Sequence, residues 1–190
     1  MKAILVLPLL LLPLSVQAKV IFVDFTGTVT DTGGNKDYVA GGPIHGRVSI
    51  DAALAGPDID PRPNFGRYGS DEQHPAVPNF VTNSVSCRAS CPSTDTVFAT
   101  NGNAMFGSPD LDMYQVDDNV NRGGGGPRFI VSAFAEDILD DEGIVQSFEL
   151  GKSDLSGEET MYGVFINKAD QFLSFAVDHL RVRPGRCSFH

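Results

Sequence analysis

VIFVDFTGTVTDTGG, residues 20–34, alternates apolar and polar side chains and then breaks on two glycines. Ile21, Val23, Phe25 and Val29 fall on one parity, and Phe22, Asp24, Thr26 and Thr28 on the other. A period of two is the signature of a strand with one buried face, because successive side chains point to opposite sides of a sheet. The pattern recurs. Ile44, Val48 and Ile50 alternate with His45, Arg47, Ser49 and Asp51, and Val81, Val85 and Cys87 share another parity. Near the end, MYGVFIN and FLSFAVDHLRV flank Lys168-Ala-Asp-Gln171, which reads as a hairpin.

The last of these segments changes parity part-way. Leu173, Phe175 and Val177 hold the odd positions, whereas Leu180 and Val182 hold the even ones. A one-residue slip turns every side chain over, so the segment predicts a β-bulge near Asp178-His179. Helical periodicity is confined to a turn or two around Phe134-Ala-Glu-Asp-Ile-Leu139, after a strand through Phe129, Val131 and Ala133. Twenty Gly and twelve Pro punctuate the rest, in stretches such as GGNKDYVAGGP, AGPDIDPRPNFG and NRGGGGPR. Together these features predict an all-β protein: a single antiparallel β-sandwich, jelly-roll-like, with long Gly/Pro loops and at most a short helix. No internal repeat or dividing linker interrupts it.

The first eighteen residues read differently. Met1-Lys2 supplies a charge, AILVLPLLLLPLSV an apolar run, and Val16-Gln17-Ala18 a small-residue cleavage signal. That is the anatomy of a secretory signal peptide over 1–18, with 19–190 as the domain. Pro8 and Pro13 interrupt the run, which is shorter than the roughly 20 apolar residues of a membrane span. The expected location is therefore secreted or periplasmic, with no transmembrane segment after cleavage. The mature chain of 190 − 18 = 172 residues carries 13 basic and 24 acidic groups, or −11. Such acidity opposes a nucleic-acid partner, which needs basic residues to displace counterions from phosphates. Of the three cysteines, Cys87 and Cys91 are spaced to close a small disulfide loop in an oxidising compartment, while Cys187 is left over.

FTGTVTDTGG followed by GGPIHGRVSID is similar to the opening of a broad group of exported bacterial β-proteins associated with the PEP-CTERM sorting tail. Met113-Tyr-Gln-Val-Asp-Asp-Asn119, the acidic LDDEG turn and the closing FAVDHLRVRP extend the resemblance over residues 20–184. After Pro184 this chain reads GRCSFH, without the Pro-Glu-Pro tail. The resemblance implies an exported β-protein and carries over no catalytic residue.

Candidate chemistry is sparse. Neither G-x-S-x-G nor H-E-x-x-H occurs, and Arg122-Gly-Gly-Gly-Gly-Pro-Arg128 lacks the Gly-Lys-Ser/Thr of a phosphate loop. Asp110, Asp112, Asp117, Asp118, Asn119 and Asn121 crowd an acidic stretch whose oxygens suit calcium; Asp112, Asp117, Asp118 and Asn119 are the candidate ligands. The stretch is no EF-hand, since Arg128 stands where a bidentate Glu is required. With no Trp and four Tyr, aromatic sugar platforms are few; Arg67, Tyr68 and Tyr114 are the candidates for ligand binding, in or near the long irregular stretch 58–68. His45 and His179 lie on polar strand parities and could meet across a sheet. The expected function is a non-enzymatic, structural or adhesive role at the cell surface or in the extracellular matrix. The alternative is a glycan- or ligand-binding module, with an extracellular polysaccharide or surface protein as partner. A hydrolase ranks third.

Overall fold

The computed structural model describes residues 20–60, 62–69, 81–83, 96–100, 111–119, 128–141, 143–168 and 171–185. The expected leader, all three cysteines and the Gly-rich loop 122–127 lie outside them. The described residues form ten strands: β1 (Val20–Asp31), β2 (Pro43–Asp51), β3 (Phe65–Gly69), β4 (Val81–Asn83), β5 (Thr96–Thr100), β6 (Leu111–Asn119), β7 (Arg128–Glu136), β8 (Phe148–Gly151), β9 (Thr160–Lys168) and β10 (Gln171–Pro184). A 3-10 turn at Lys152–Asp154 follows β8. No helix among the described residues is long and apolar enough to cross a membrane.

The strands join in one antiparallel path, β3-β5-β6-β7-β9-β10-β1-β2-β4, with β8 added against β10. This sheet curls into a half-barrel. The curl brings the end strand β4 within 8 Å, Cα to Cα, of β6. Alternation predicted the inward faces correctly: Ile21, Val23, Phe25, Val29, Ile44, Val48, Ile50 and Val81 are all buried. It could not say what an inward face packs against. Two facing sheets and one sheet bent over itself bury the same parity, and the described strands follow the second plan.

Three rings hold the centre. Phe25 lies 5.4 Å from Phe175 and 5.7 Å from Phe129, and Phe129 lies 6.2 Å from Phe175, centroid to centroid. Each such ring buried contributes on the order of 1.5–3 kcal/mol. Phe175 fits because its cross-strand partner is Gly163. An ideal Cβ there would lie 2.0 Å from the ring's Cζ, so the ring occupies the space a side chain would need.

The bulge falls where the parity change predicts. Thr26 pairs with His179 and Gly27 with Val177, leaving Asp178 as the extra residue. Its carboxylate accepts a 2.8 Å hydrogen bond from the Thr28 hydroxyl. Gly27 permits the close approach, since a Cβ there would sit 2.3 Å from the Ala176 carbonyl oxygen. On the other edge of β10, β9 pairs up to Ala176 and β8 takes over from His179. Residues 152–159 loop out between them, so β8 and β9 act as one strand interrupted opposite the bulge. The hairpin is also present, with Gln171 paired to Lys168.

Two local expectations are corrected. Residues 134–139 form no helix: β7 runs on to Glu136, with Phe134 paired to Met113 on one side and Thr160 on the other, and Asp137 turns the chain at φ 52°. Helix there would break both ladders at once. The described part of the acidic stretch, residues 111–119, is not a loop but the interior strand β6.

Candidate functional site

Polar side chains concentrate on the outer face of β2, β1, β10 and β8, where register lines them up in three rows. His45, Thr26 and His179 form one row; Arg47, Asp24, Arg181 and Glu149 form the next; Ser49, Phe22 and Arg183 form the third. With strands about 4.8 Å apart, His45 and His179 stand roughly 10 Å from each other across Thr26. The two histidines share a sheet face, but Thr26 stands between them and they do not meet.

Ion pairs fix the rows. Asp24 accepts from the Arg47 Nε, and Arg183 approaches its second oxygen at 3.3 Å. Burial pushes the Asp24 carboxyl up, but the bonds and charges of Arg47 and Arg183 outweigh this and hold it below the ordinary value of 3.8. The Arg47 guanidinium is raised in turn by the Asp24 hydrogen bond. Both guanidiniums also lie over the Phe22 ring, 4.9 and 5.1 Å from its centroid. Glu149 bridges His179 at 2.9 Å and Arg181 at 3.4 Å. Beside them Lys152 stands 3.9 Å from Asp178. The side chains of Arg47, Arg181 and Arg183 remain 48%, 54% and 35% exposed.

A second row crosses the outer face further along the sheet: Arg67, Phe98, Gln115, Ser132 and Tyr162 are consecutive register partners on β3, β5, β6, β7 and β9. The Ser132 hydroxyl donates to Gln115 Oε1 at 3.0 Å, Arg67 stacks over Phe98 at 5.6 Å, and Tyr162 stacks on Phe134 at 6.1 Å. Arg67 is the predicted ligand residue that belongs to this row. The other two face inward: Tyr68 and Tyr114 join the core, where the Tyr114 hydroxyl donates to the Ile144 carbonyl at 3.3 Å. Burial drives the Tyr114 hydroxyl well above the ordinary tyrosine range. The stretch 58–68 is less irregular than expected, since Phe65–Gly69 is β3 and Asp58 accepts from the backbone N–H of Arg67 at 2.9 Å.

The candidate calcium ligands are spread rather than gathered. Strand alternation puts Asp112 and Asp118 on the inner parity with Tyr114 and Val116, and Asp117 on the outer. Six residue steps along the strand separate Asp112 from Asp118, about 20 Å. Asp112 accepts from the Leu139 N–H at 2.8 Å, fixing the turn after β7. Asp117 takes a fork from Arg128, at 3.0 Å to Nε and 2.5 Å to an Nη, and that hydrogen bond raises the Arg128 guanidinium. Asn119 pairs with Arg128 in register. Among the described residues no three His, Cys, Asp or Glu side chains gather as a metal site. The disulfide call, Cys87 with Cys91, lies outside the described residues.

Strand parity, which a period-two pattern always carries, would have separated Asp117 from Asp118. The Arg47–Asp24–Arg183 cluster was not readable, because its members are far apart in the chain and only register joins them.

No protein-family model, no curated protein and no solved structure matches this chain.

Proposed function

We propose that this chain is an exported bacterial β-protein, akin to those associated with PEP-CTERM tails, that acts without catalysis as a structural or adhesive element at the cell surface or in the matrix. The observation that supports this is the division of labour between its faces. The inner face is filled by the Phe25, Phe129 and Phe175 rings, whereas the outer face of β2, β1, β10 and β8 presents polar side chains held in fixed rows by ion pairs. A broad, exposed, pre-ordered face suits contact with another surface more than enclosure of a small substrate. The signal-like leader supports a location outside the cytoplasm, and a sandwich-like closure of the curled sheet would complete its core.

The test is retention of the purified mature chain on washed bacterial cells and their matrix, measured by sedimentation. Saturable retention that falls when Arg47 and Arg183 are both changed to Gln supports the reading. Turnover of an extracellular polymer, lost on a single substitution, overturns it.

The row Arg67, Phe98, Gln115, Ser132 and Tyr162 favours a second reading, a glycan-binding module. The exposed Tyr162 ring, with Phe98 and a Gln115 amide held from below by the buried Ser132 hydroxyl, offers ring faces and an amide of the kind sugars use. A glycan array on which Phe98→Ala and Tyr162→Ala lose their signal would select it, and an unchanged signal would dismiss it.

A further inference from the structure

Among the described residues β3 is an end strand of the path, and an end strand presents a row of main-chain N–H and C=O groups with which another strand can pair. In an antiparallel ladder alternate residues address opposite neighbours, and the groups of β3 turned away from β5 are those of Phe65 and Arg67. The chain's own preceding residues take them. The Arg67 N–H donates to the Asp58 carboxylate at 2.9 Å, and the Arg67 carbonyl accepts from the Ile59 N–H at 2.9 Å. The Phe65 N–H donates to the Arg62 carbonyl at 3.3 Å, and the Arg62 guanidinium lies 4.0 Å from the centroid of the Phe65 ring. Asp58, Ile59, Asp60 and Arg62 thus form a strap over this edge.

We propose that this strap is a gate on strand addition: closed, it occupies the edge, and lifted, it lets β3 pair with β3 of a second copy of the chain. The proposal goes beyond the adhesive reading and does not depend on it. Two features suit a part that lifts. Asp58 meets Arg67 with a side-chain oxygen rather than a main-chain carbonyl, and that same oxygen also accepts from the Asp60 N–H at 2.9 Å, so one side chain carries the fastening. The remaining polar bonds of the strap are internal: Asp60 accepts from the Arg62 N–H at 3.0 Å and from its Nε at 2.8 Å, which shapes the strap without tying it to the sheet. A second copy offers the edge what the strap offers. About a two-fold axis at Gly66, Phe65 of each copy stands opposite Arg67 of the other, and each such pair exchanges N–H···O=C bonds in both directions. This register sets a guanidinium beside each Phe65, where Arg62 stands now. A register centred on Arg67 would instead put two like charges directly opposite each other, which is destabilising.

Sedimentation velocity of the mature chain over a range of concentrations, with amide hydrogen exchange on the same samples, tests this. Asp58→Ala removes the fastening and should dimerise at a concentration about tenfold lower than the parent. Asp58→Asn, whose amide oxygen still accepts, should sediment as the parent does. Gly163→Ala loosens the core and leaves the strap intact, so it too should follow the parent, which separates edge pairing from general destabilisation. Arg62→Ala uncovers the Phe65 ring and should shift dimerisation in the same direction by about threefold; it serves if Asp58→Ala fails to fold. In the Asp58→Ala protein the Phe65 and Arg67 amides should exchange rapidly in dilute solution and slow down as the dimer forms. Absence of a dimer, a dimer that leaves those two amides unprotected, or equal dimerisation by the parent, Asp58→Asn or Gly163→Ala overturns the proposal.

Discussion

Deleting Asp178 should be tolerated, and deleting its near neighbour Ala176 should not. Asp178 is the extra residue of the bulge, so its removal lets Val177 stay inward and His179 outward in an unbroken alternation, with Leu180 and Val182 still in the core. The loss is then one half-buried hydrogen bond to Thr28, about 1 kcal/mol, plus some adjustment of twist. Without Ala176, the segment reads Leu173-Ser-Phe-Val-Asp-His-Leu180. If Leu173, Phe175, Leu180 and Val182 keep their places, Val177 must face water and the Asp178 carboxyl must enter the core. Exposing the valine forfeits roughly 1.5–3 kcal/mol, and burying an unpaired carboxylate adds several more. Set against a total stability of about 5–15 kcal/mol, that is enough to unfold most of the population. The compensating variant is specific: deletion of Ala176 combined with Asp178→Val restores an apolar inward residue and should recover most of the loss. Urea unfolding monitored by circular dichroism measures all three. If the Asp178 deletion proves as damaging as the Ala176 deletion, or the added valine rescues nothing, the bulge does not control the faces of β10 and this reasoning fails.

Other expectations are more local. Gly163→Ala should destabilise by about 1–3 kcal/mol, since its Cβ would overlap the Phe175 ring; a urea midpoint unchanged from the parent would show that the ring is not seated there. Asp112→Ala should cost about 1–3 kcal/mol by removing the buried carboxylate that accepts from the Leu139 N–H, with or without millimolar calcium, and Asp112→Asn should cost less. A loss seen only in calcium would instead mark Asp112 as a ligand. Asp24, lowered in the folded state, contributes stability that is present above the unfolded carboxyl pKa and is lost as pH falls through the folded one, below about pH 4. Asp24→Asn should therefore flatten the acid limb of a stability–pH profile while leaving the slope between about pH 5 and 7 unchanged; a parallel shift of the whole curve would contradict this. Glu159, held down by the backbone N–H groups of Glu136 and Ser156, should still lose its share in that same acid range.

Much of this fold is legible because period two is a local property. The inward parities of β1 and β2, the hairpin at 168–171 and the bulge at Asp178 all follow from residues within one short segment. Pairing is not local. Nothing in residues 20–31 says that β10 and β2 will flank them, so whether the inward face meets a second sheet or a bend of its own could not be read. The same limit explains the sites. Crowding along the chain suggested a calcium loop, but crowding in a strand separates alternate residues to opposite faces, and Asp117 and Asp118 part company for that reason. Apparent helical spacing at Phe134–Leu139 yielded to the two ladders that β7 makes with β6 and β9.

The bulge also ties the candidate site to the core. Along β10, the odd-numbered residues Leu173, Phe175 and Val177 face inward, while His179, Arg181 and Arg183, equally odd-numbered, face outward beside Asp24 and Glu149. A regular strand could supply only one of these sets to its proper face. If the inner half of β10 kept Leu173, Phe175 and Val177 in the core, the basic half would be driven inside with them, and no polar row would exist on the surface. One inserted residue, tolerated because Gly27 lacks a side chain and because β8 and β9 part opposite it, lets one strand serve both the aromatic core and the arginine rows. The basic character of that face is thus a consequence of how β10 bends. A Gly27→Val change, which drives a side chain into the Ala176 carbonyl, should disturb retention on washed cells together with thermal stability, whereas Arg181→Gln should affect retention alone.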